Sequence, residues 1–302
     1  MNNKYYALLS AAGILWGIQP IFVKIAVADI TPAALISIRY IFLSGTLFII
    51  MKCIGEKQFL PPKDCWLRLI LMGLTGVAIN NGSQFSGLQY STVANATLIA
   101  TLTPAVTAFL AAIFLRERLS LLQWLGIFIS MGGTLYLISN GSLASILHTS
   151  FNIGDVMFFT AQFMWAAYCL LSIKVMRRMS VFAVTAWAGI IGGIFMAIYG
   201  AFMGELVLPA PTWPLLYSMA FIIWCGGVAA LVFWNVGVKY VGASSAAIFL
   251  NLMPLVGIVA AAFTLGEVLT LQEGIGAVVI LSGVYITTHS AQLSRFHIPH
   301  RH

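Results

Sequence analysis

The chain has 302 residues, of which 61% are hydrophobic and only 8% are charged, and its mean hydropathy is +0.98. Because an ordinary soluble domain carries about 25% charged residues, this composition excludes a soluble globular protein. The formal net charge of +7 does not indicate a nucleic-acid partner, since the basic residues form no recognition motif. We therefore expect an all-α integral membrane protein.

Apolar blocks of about 20 residues recur along the chain, which is the length a helix needs to cross about 30 Å of hydrocarbon. Short separators with turn or charge signals divide these blocks. A transmembrane β-barrel would instead show short segments of alternating hydrophobicity. The pattern predicts ten transmembrane helices, near residues 6–27, 32–52, 66–86, 93–115, 120–139, 154–174, 181–203, 213–236, 243–265 and 270–290.

The basic residues are distributed on one side of this topology. If the N-terminus is cytoplasmic, every Lys and Arg except Lys24 and Arg39 falls at the cytoplasmic side. An excess of Lys and Arg in cytoplasmic loops is the rule for multi-pass proteins. We therefore predict a multi-pass protein of the inner (plasma) membrane with both termini cytoplasmic, including the tail 291–302.

The sequence contains an internal duplication. Residues 87–137 and 237–287 align without a gap at an offset of 150 positions, with 14 identical columns in 51, including Pro104 on Pro254 and Glu117 on Glu267. Repeats of this kind define the architecture. They predict a first five-helix repeat at 1–139, a linker at 140–153 and a second five-helix repeat at 154–290.

The number of crossings in each repeat has a geometric consequence. Five is odd, so the second repeat must enter the membrane in the opposite orientation to the first. Inverted repeats with a substrate site near the bilayer midplane are typical of secondary transporters that work by alternating access. The expected fold is therefore ten transmembrane helices in two inverted five-helix repeats.

Several motifs in order along the chain resemble the EamA-type branch of the drug/metabolite transporter superfamily. They are LWG at 15–17 followed by a Lys, an Arg in the second span, a Pro in the fourth and ninth spans, and L-x-E-x-L at 115–119 and 265–269. The resemblance implies a central cavity lined mainly by the first, third, fourth, sixth, eighth and ninth helices. It also implies export or exchange of small metabolites.

Polar and aromatic side chains inside the predicted spans are the candidate substrate-cavity residues, because such groups usually face a cavity or another helix. Hydrogen bonding that only packs the bundle is the alternative for each polar residue, and an interfacial aromatic belt is the alternative for the aromatic residues. The candidates are Trp16, Gln19, Asn80, Gln84, Asn95, Thr101, Trp165, Tyr168, Trp234, Asn235 and Asn251.

Three further features are assigned by position. Pro104 and Pro254 each remove a backbone hydrogen bond and are expected to act as hinges, with a purely structural kink as the alternative. Arg39 either bonds to helix ends or contacts an anionic group such as a substrate carboxylate. Glu117 and Glu267 are expected to anchor helix ends.

These observations favour a secondary transporter of small metabolites, with amino acids or related amphipathic solutes as the expected class. Efflux of drugs or organic cations is the alternative, disfavoured because no span has a carboxylate near its centre. A non-transporting scaffold or receptor subunit is the alternative of another class. The sequence has no catalytic, metal-binding or nucleotide-binding motif, so we expect no enzyme activity, cofactor or metal. The expected partners are a small-molecule substrate and the lipid bilayer, with no nucleic acid and a monomeric state.

Overall fold

The computed structural model describes residues 3–91, 99–139, 152–207, 210–265 and 270–296. Every regular element in these ranges is helical. The α-helices are α1 (Asn3–Ala26), α2 (Pro32–Cys53), α3 (Trp66–Met72), α4 (Asn80–Tyr90), α5 (Thr103–Phe114), α6 (Leu121–Ile138), α7 (Ile153–Val175), α8 (Val181–Met203), α9 (Trp213–Ala220), α10 (Ala230–Val241), α11 (Ala243–Ala247), α12 (Leu252–Leu265) and α13 (Leu271–Phe296).

Seven helices in the described ranges are long and apolar enough to cross a membrane. Two shorter apolar helices, Thr103–Phe114 and Ala243–Gly257, accompany them. The seven are Asn3–Val23, Pro32–Cys53, Leu121–Ile138, Ile153–Val175, Val181–Met203, Trp213–Val241 and Leu271–Ser290.

Two of the predicted spans, 66–86 and 213–236, are not uniform α-helices. A π-helix, Gly73–Ile79, joins α3 to α4, and a second π-helix, Phe221–Ala229, joins α9 to α10. An offset of 150 residues places the first π-helix inside the second. π-helical turns are rare in proteins, and those that do occur are often at functional sites. The matched positions of these two segments therefore make them candidates for part of a functional site.

Helix starts are also matched between the two halves. Ser120 and Gln123 form a capping box before α6, with each side chain hydrogen bonded to the backbone N–H of the other. Thr270 and Glu273 make the same reciprocal pair of bonds before α13. Since capping satisfies backbone donors that a helix leaves unpaired, these residues fix where α6 and α13 begin.

The packing of the helices links the two halves of the chain. α2 packs along α8, and α6 packs along α13. α1 packs against α10 and α12, whereas α7 packs against α4 and α5. Thus the first helix of each half takes its main partners from the other half.

The two predicted hinge prolines lie close to the start of a helix. Pro104 is the second residue of α5, after a turn at Thr101 and Leu102. Pro254 follows the 3₁₀-helix Ile248–Asn251 and lies in the first turn of α12. Proline is tolerated in a first turn, where its missing N–H has no intrahelical partner to lose. The irregular backbone therefore lies N-terminal to each proline, and the hinge assignment stays a prediction.

Candidate substrate site

Three tryptophans from α1, α7 and α10 form one aromatic cluster. The ring centroids of Trp16 lie 5.5 Å from those of Trp165 and 5.4 Å from those of Trp234, and Trp165 and Trp234 are 5.8 Å apart. Tyr168 stacks on Trp165 with a centroid distance of 5.3 Å. Such distances fall in the range of favourable aromatic pairs. Four of the predicted cavity residues are thus in one cluster that spans both halves of the chain.

The indole N–H groups of this cluster differ in their partners. Trp16 Nε1 donates a hydrogen bond of 2.8 Å to the carbonyl oxygen of Gly226, inside the second π-helix. Trp165 Nε1 is buried and has no hydrogen-bond partner among the described residues. Since nearly all buried polar groups in proteins are paired, the Trp165 N–H is a donor that a bound solute or water can use.

Arg39 of α2 reaches the same carbonyl. Its Nη2 donates to the oxygen of Gly226 at 3.3 Å and to Gln19 Oε1 at 3.2 Å. Its Nε is buried, and no described residue accepts a hydrogen bond from it. Only 5% of the Arg39 surface is exposed. The guanidinium also lies 5.2 Å from the ring centroid of Tyr40. A buried cation is therefore fixed beside the tryptophan cluster by neutral acceptors and one aromatic ring.

Both π-helices carry a glycine on which a side chain of the other half rests. A Cβ atom at Gly226 would overlap the carboxamide of Gln19, and a Cβ atom at Gly76 would overlap the ring of Tyr168. Gly76 and Gly226 are 150 residues apart, and Gln19 and Tyr168 are 149 residues apart. Each half of the chain thus makes the same kind of close contact. The Gln19 amide of the first half rests on Gly226, and the Tyr168 phenol of the second half rests on Gly76.

Asn235 is buried beside Tyr168 of the aromatic cluster, and both N–H groups of its side-chain amide have acceptors. Its Nδ2 donates to Tyr168 Oη and to Thr185 Oγ1, each at 2.9 Å. Its Oδ1 is buried and has no partner among the described residues. The amide thus fixes the phenol that rests on Gly76, and it leaves one acceptor free.

The space between these groups is small. A cavity of about 10 Å³ lies beside Trp165 and Tyr168, which is room for about one water molecule. A metabolite could enter this cavity only if side chains or helices moved. The cavity is lined by Tyr40, Gly76, Val77, Trp165, Tyr168, Thr185, Ala188, Gly189 and Leu231.

Two of the predicted cavity amides bind other helices instead of the cluster. Asn80 Nδ2 donates to the carbonyl oxygen of Ala161 at 2.8 Å, which joins α4 to α7. Asn251 Nδ2 donates to Ser130 Oγ at 2.9 Å, which joins the second half to α6. Both asparagines are buried, and these contacts match the packing alternative considered from the sequence.

The other predicted polar residues are also separate from the cluster. Gln84 is exposed on α4, and Thr101 is buried in the turn before α5. Nearby, Thr103 Oγ1 donates to Gln162 Oε1 at 2.6 Å, which joins α5 to α7. Asn95 lies outside the described residues.

Glu117 anchors a helix start in the other half of the chain. One carboxylate oxygen accepts from the backbone N–H of Ala243 at 3.2 Å, and the other accepts from Ser244 Oγ at 2.6 Å. This is the helix-end contact that the sequence indicated for Glu117. Glu267 lies outside the described residues.

Three residues that bond to members of the site or lie next to them along the chain do not stand out in the sequence. Gly226 supplies the shared carbonyl, Thr185 holds Asn235, and Pro20 lies inside α1 four residues after Trp16. Proline at position 20 cannot donate to the carbonyl of residue 16, which weakens α1 at the tryptophan. The alignment of Gly76 with Gly226 between the repeats was a signal that could have identified the glycine.

Similar proteins are known for the whole chain. It is 28% identical over 296 residues to the uncharacterized transporter YyaM of Bacillus subtilis strain 168, covering 96% of this chain and 95% of that protein. An uncharacterized transporter of Archaeoglobus fulgidus is also 28% identical, with coverage of 95% and 98%. A probable amino-acid metabolite efflux pump of Escherichia coli K12 is 25% identical, with coverage of 95% of both chains.

A solved crystal structure has the same fold. It aligns with a TM-score of 0.82 at 17% identity, covering 99% of this chain and 100% of the other. The model of the EamA-like transporter family matches residues 3–139 and again residues 152–289. With two copies of the family model covering most of its length, the chain belongs to the EamA-like transporter family.

Proposed function

We propose that this protein is a secondary transporter that exports or exchanges small amphipathic metabolites, foremost amino acids, by alternating access. The observation that carries the proposal is the cluster of Trp16, Trp165 and Trp234, with the cation of Arg39 beside it. Aromatic walls suit the apolar part of a solute, and a few placed polar groups suit its charged end. The efflux pump of Escherichia coli among the relatives also supports this substrate class.

The proposed mechanism uses ten spans in two inverted repeats. Three features support it: two copies of the family model, a π-helix at the same position in each half, and a first helix in each half that packs on the other half. Rocking of one half against the other would open the cluster alternately to each side. The closed packing around the small cavity then corresponds to an occluded state.

Efflux of organic cations is the second candidate, since aromatic rings bind cations. The buried charge of Arg39 opposes it, because a cation at the cluster would be repelled. A scaffold or receptor subunit would give no role to the buried donor of Trp165 or the free acceptor of Asn235.

Counterflow in proteoliposomes tests the proposal. Purified protein is reconstituted with an unlabelled amino-acid mixture inside, and uptake of each labelled amino acid is measured against empty liposomes. We expect saturable counterflow of at least one apolar amino acid. Saturable uptake of tetraphenylphosphonium without amino-acid counterflow would instead support cation efflux, and no saturable flux of any solute would contradict transport.

A further inference from the structure

We propose that Arg39 is the substrate's carboxylate receptor, and that Gln19 occupies this receptor in the closed state and moves away when substrate binds. The inference rests on the proposed function and adds the chemical class of the solute. The solute carries a carboxylate beside an apolar group, and the carboxylate displaces the Gln19 carboxamide from the guanidinium.

The first argument is the charge balance at Arg39. The ion pair in the described part of the chain is between Arg178 and Asp64, at 3.8 Å and largely exposed. Arg39 is 5% exposed, and among the described residues its hydrogen-bond acceptors are the carboxamide of Gln19 and the carbonyl of Gly226. Buried cations in membrane proteins normally pair with an anion or mark a solute path. The positive charge of the Arg39 guanidinium therefore has no anionic partner among the described residues, and an anionic group of a solute could pair with it.

The second argument is the geometry of the free donors. Nε and Nη2 are on the same edge of a guanidinium, the edge that a carboxylate can bind with two parallel hydrogen bonds. In Arg39 this Nε is buried and has no hydrogen-bond partner in the described part of the chain, and Nη2 makes two long bonds to neutral acceptors. A carboxylate that replaced Gln19 Oε1 would bond to both nitrogens and neutralise the charge.

The third argument is the surrounding surface. The carbonyl that holds Arg39 also holds Trp16 Nε1, at 2.8 Å. The guanidinium and the aromatic cluster are therefore fixed to one backbone atom. A solute whose carboxylate meets Arg39 has its apolar group against the indoles, which fits an apolar amino acid or an apolar organic acid.

Matched ligand pairs test this inference. Tryptophan fluorescence of the purified protein is titrated with leucine and leucinamide, and with phenylalanine and phenylalaninamide, which differ only in the carboxylate. Desamino ligands, 4-methylpentanoate and 3-phenylpropanoate, test whether the carboxylate suffices without an ammonium group. The proteins compared are wild type, Arg39→Gln, Arg39→Lys and, as a control for loss of a cation elsewhere, Arg178→Gln. Proteoliposome counterflow of the same ligands is measured in parallel.

We expect wild type and Arg178→Gln to prefer each acid over its amide. Arg39→Gln should reduce this preference by about 10- to 100-fold, which corresponds to losing charge-assisted hydrogen bonds, while amide binding stays unchanged. Arg39→Lys retains the charge and should keep part of the preference, and it serves as the test variant if Arg39→Gln does not fold.

Other results would overturn the inference. Equal loss of acid and amide binding in folded Arg39 variants would assign Arg39 to packing alone, and so would wild-type protein that binds neither acid better than its amide. Carboxylate-selective binding without counterflow would contradict the proposed function but retain the receptor. Counterflow with unchanged acid preference in both variants would contradict the receptor but retain the function.

Discussion

The ring of Tyr168 rests on Gly76 so closely that any side chain at position 76 would overlap it. The contact joins α7 to the first π-helix, and Asn235 holds the phenol from the other side through a hydrogen bond of 2.9 Å. The second π-helix makes the corresponding contact between Gly226 and Gln19. These two contacts connect the halves of the chain at the candidate site, and the predictions begin with them.

Gly76→Ala is expected to destabilise the protein. The added methyl overlaps a buried ring that Asn235 holds in place, and overpacking typically costs about 1–3 kcal/mol. Gly132→Ala is the matched control, because a Cβ atom there meets no atom within 4 Å. Replacing such a helical glycine stabilises by about 0.4–1 kcal/mol. Thermal unfolding in detergent should show a lower melting temperature than the wild type for Gly76→Ala but not for Gly132→Ala. Equal melting temperatures of the two variants would contradict the close contact.

Trp16→Phe and Trp165→Phe should lower the free energy of unfolding by different amounts. Trp16 Nε1 is bonded to the Gly226 oxygen, whereas Trp165 Nε1 has no partner among the described residues. Removing the first N–H breaks a buried hydrogen bond, at a cost of about 1–3 kcal/mol. Removing the second relieves an unpaired donor and costs only packing. Unfolding temperatures should therefore fall more for Trp16→Phe, and the reverse order would exclude these hydrogen-bond assignments.

Glu117→Gln should loosen the contact between the end of α5 and the start of α11. The carboxylate accepts from Ser244 Oγ and from two backbone N–H groups, and hydrogen bonds to a charged group contribute about 1.5–3 kcal/mol each. The variant should unfold at a lower temperature. It should also expose Ser245, which is 5% exposed, so that a Ser245→Cys reporter reacts faster with maleimide.

Asp64→Asn is the control for that experiment. It removes a carboxylate from an exposed ion pair with Arg178, and such pairs contribute only about 0–1 kcal/mol. Its melting temperature and the reactivity of the Ser245→Cys reporter should match the wild type. If Glu117→Gln behaves like Asp64→Asn in both measurements, the carboxylate does not hold the two helices together.

Cysteine labelling tests the proposed orientation. Cys53 is exposed at the end of α2, and Cys65 is buried. Burial raises the pKa of the Cys65 thiol, as does the neighbouring Asp64 carboxylate. A raised pKa lowers the fraction of thiolate at neutral pH. Cys65 should therefore react slowly with maleimide until the pH is well above the pKa of an ordinary thiol.

An impermeant maleimide should therefore modify Cys53 in inside-out vesicles but not in intact cells, because the proposed topology places residues 53–65 in the cytoplasm. Loss of the signal in Cys53→Ser identifies the labelled residue. Labelling of Cys53 in intact cells would show that this loop faces outward.

Composition and motif order predict the helical class and the family, and they name some residues of the aromatic cluster. Trp16 and Trp165 both lie inside predicted apolar spans, and they are in contact. The helical class and the family were also predicted, because hydropathy and motif order depend only on local sequence. Asn251 was selected by the same reasoning, yet it bonds to Ser130. Periodicity tells which helix bears an amide but does not tell which neighbour the amide faces.

The two π-helices could not be predicted from the hydrophobic pattern. Within residues 73–79 and 221–229 every residue except Thr75 is apolar or glycine, so these segments carry no alternation of polar and apolar residues that a change of helical turn would interrupt. The carbonyl of Gly226 could not be selected from the sequence either, since every residue has a backbone acceptor and the hydrophobic pattern does not show which one a side chain from another helix will reach. Glycine at 76 and 226 was visible in the repeat, but its contact partners come from the other half.

The π-helices also make a particular motion available to the chain. An α-helix turns by about 100° per residue, so a one-residue change in the hydrogen-bonding register within 221–229 would rotate the outgoing α10 by about that angle relative to α9. Trp234 and Asn235 both lie on α10. Such a rotation would turn the Trp234 indole and the Asn235 amide towards different neighbouring helices. The contacts of α9 with its own neighbours would be kept.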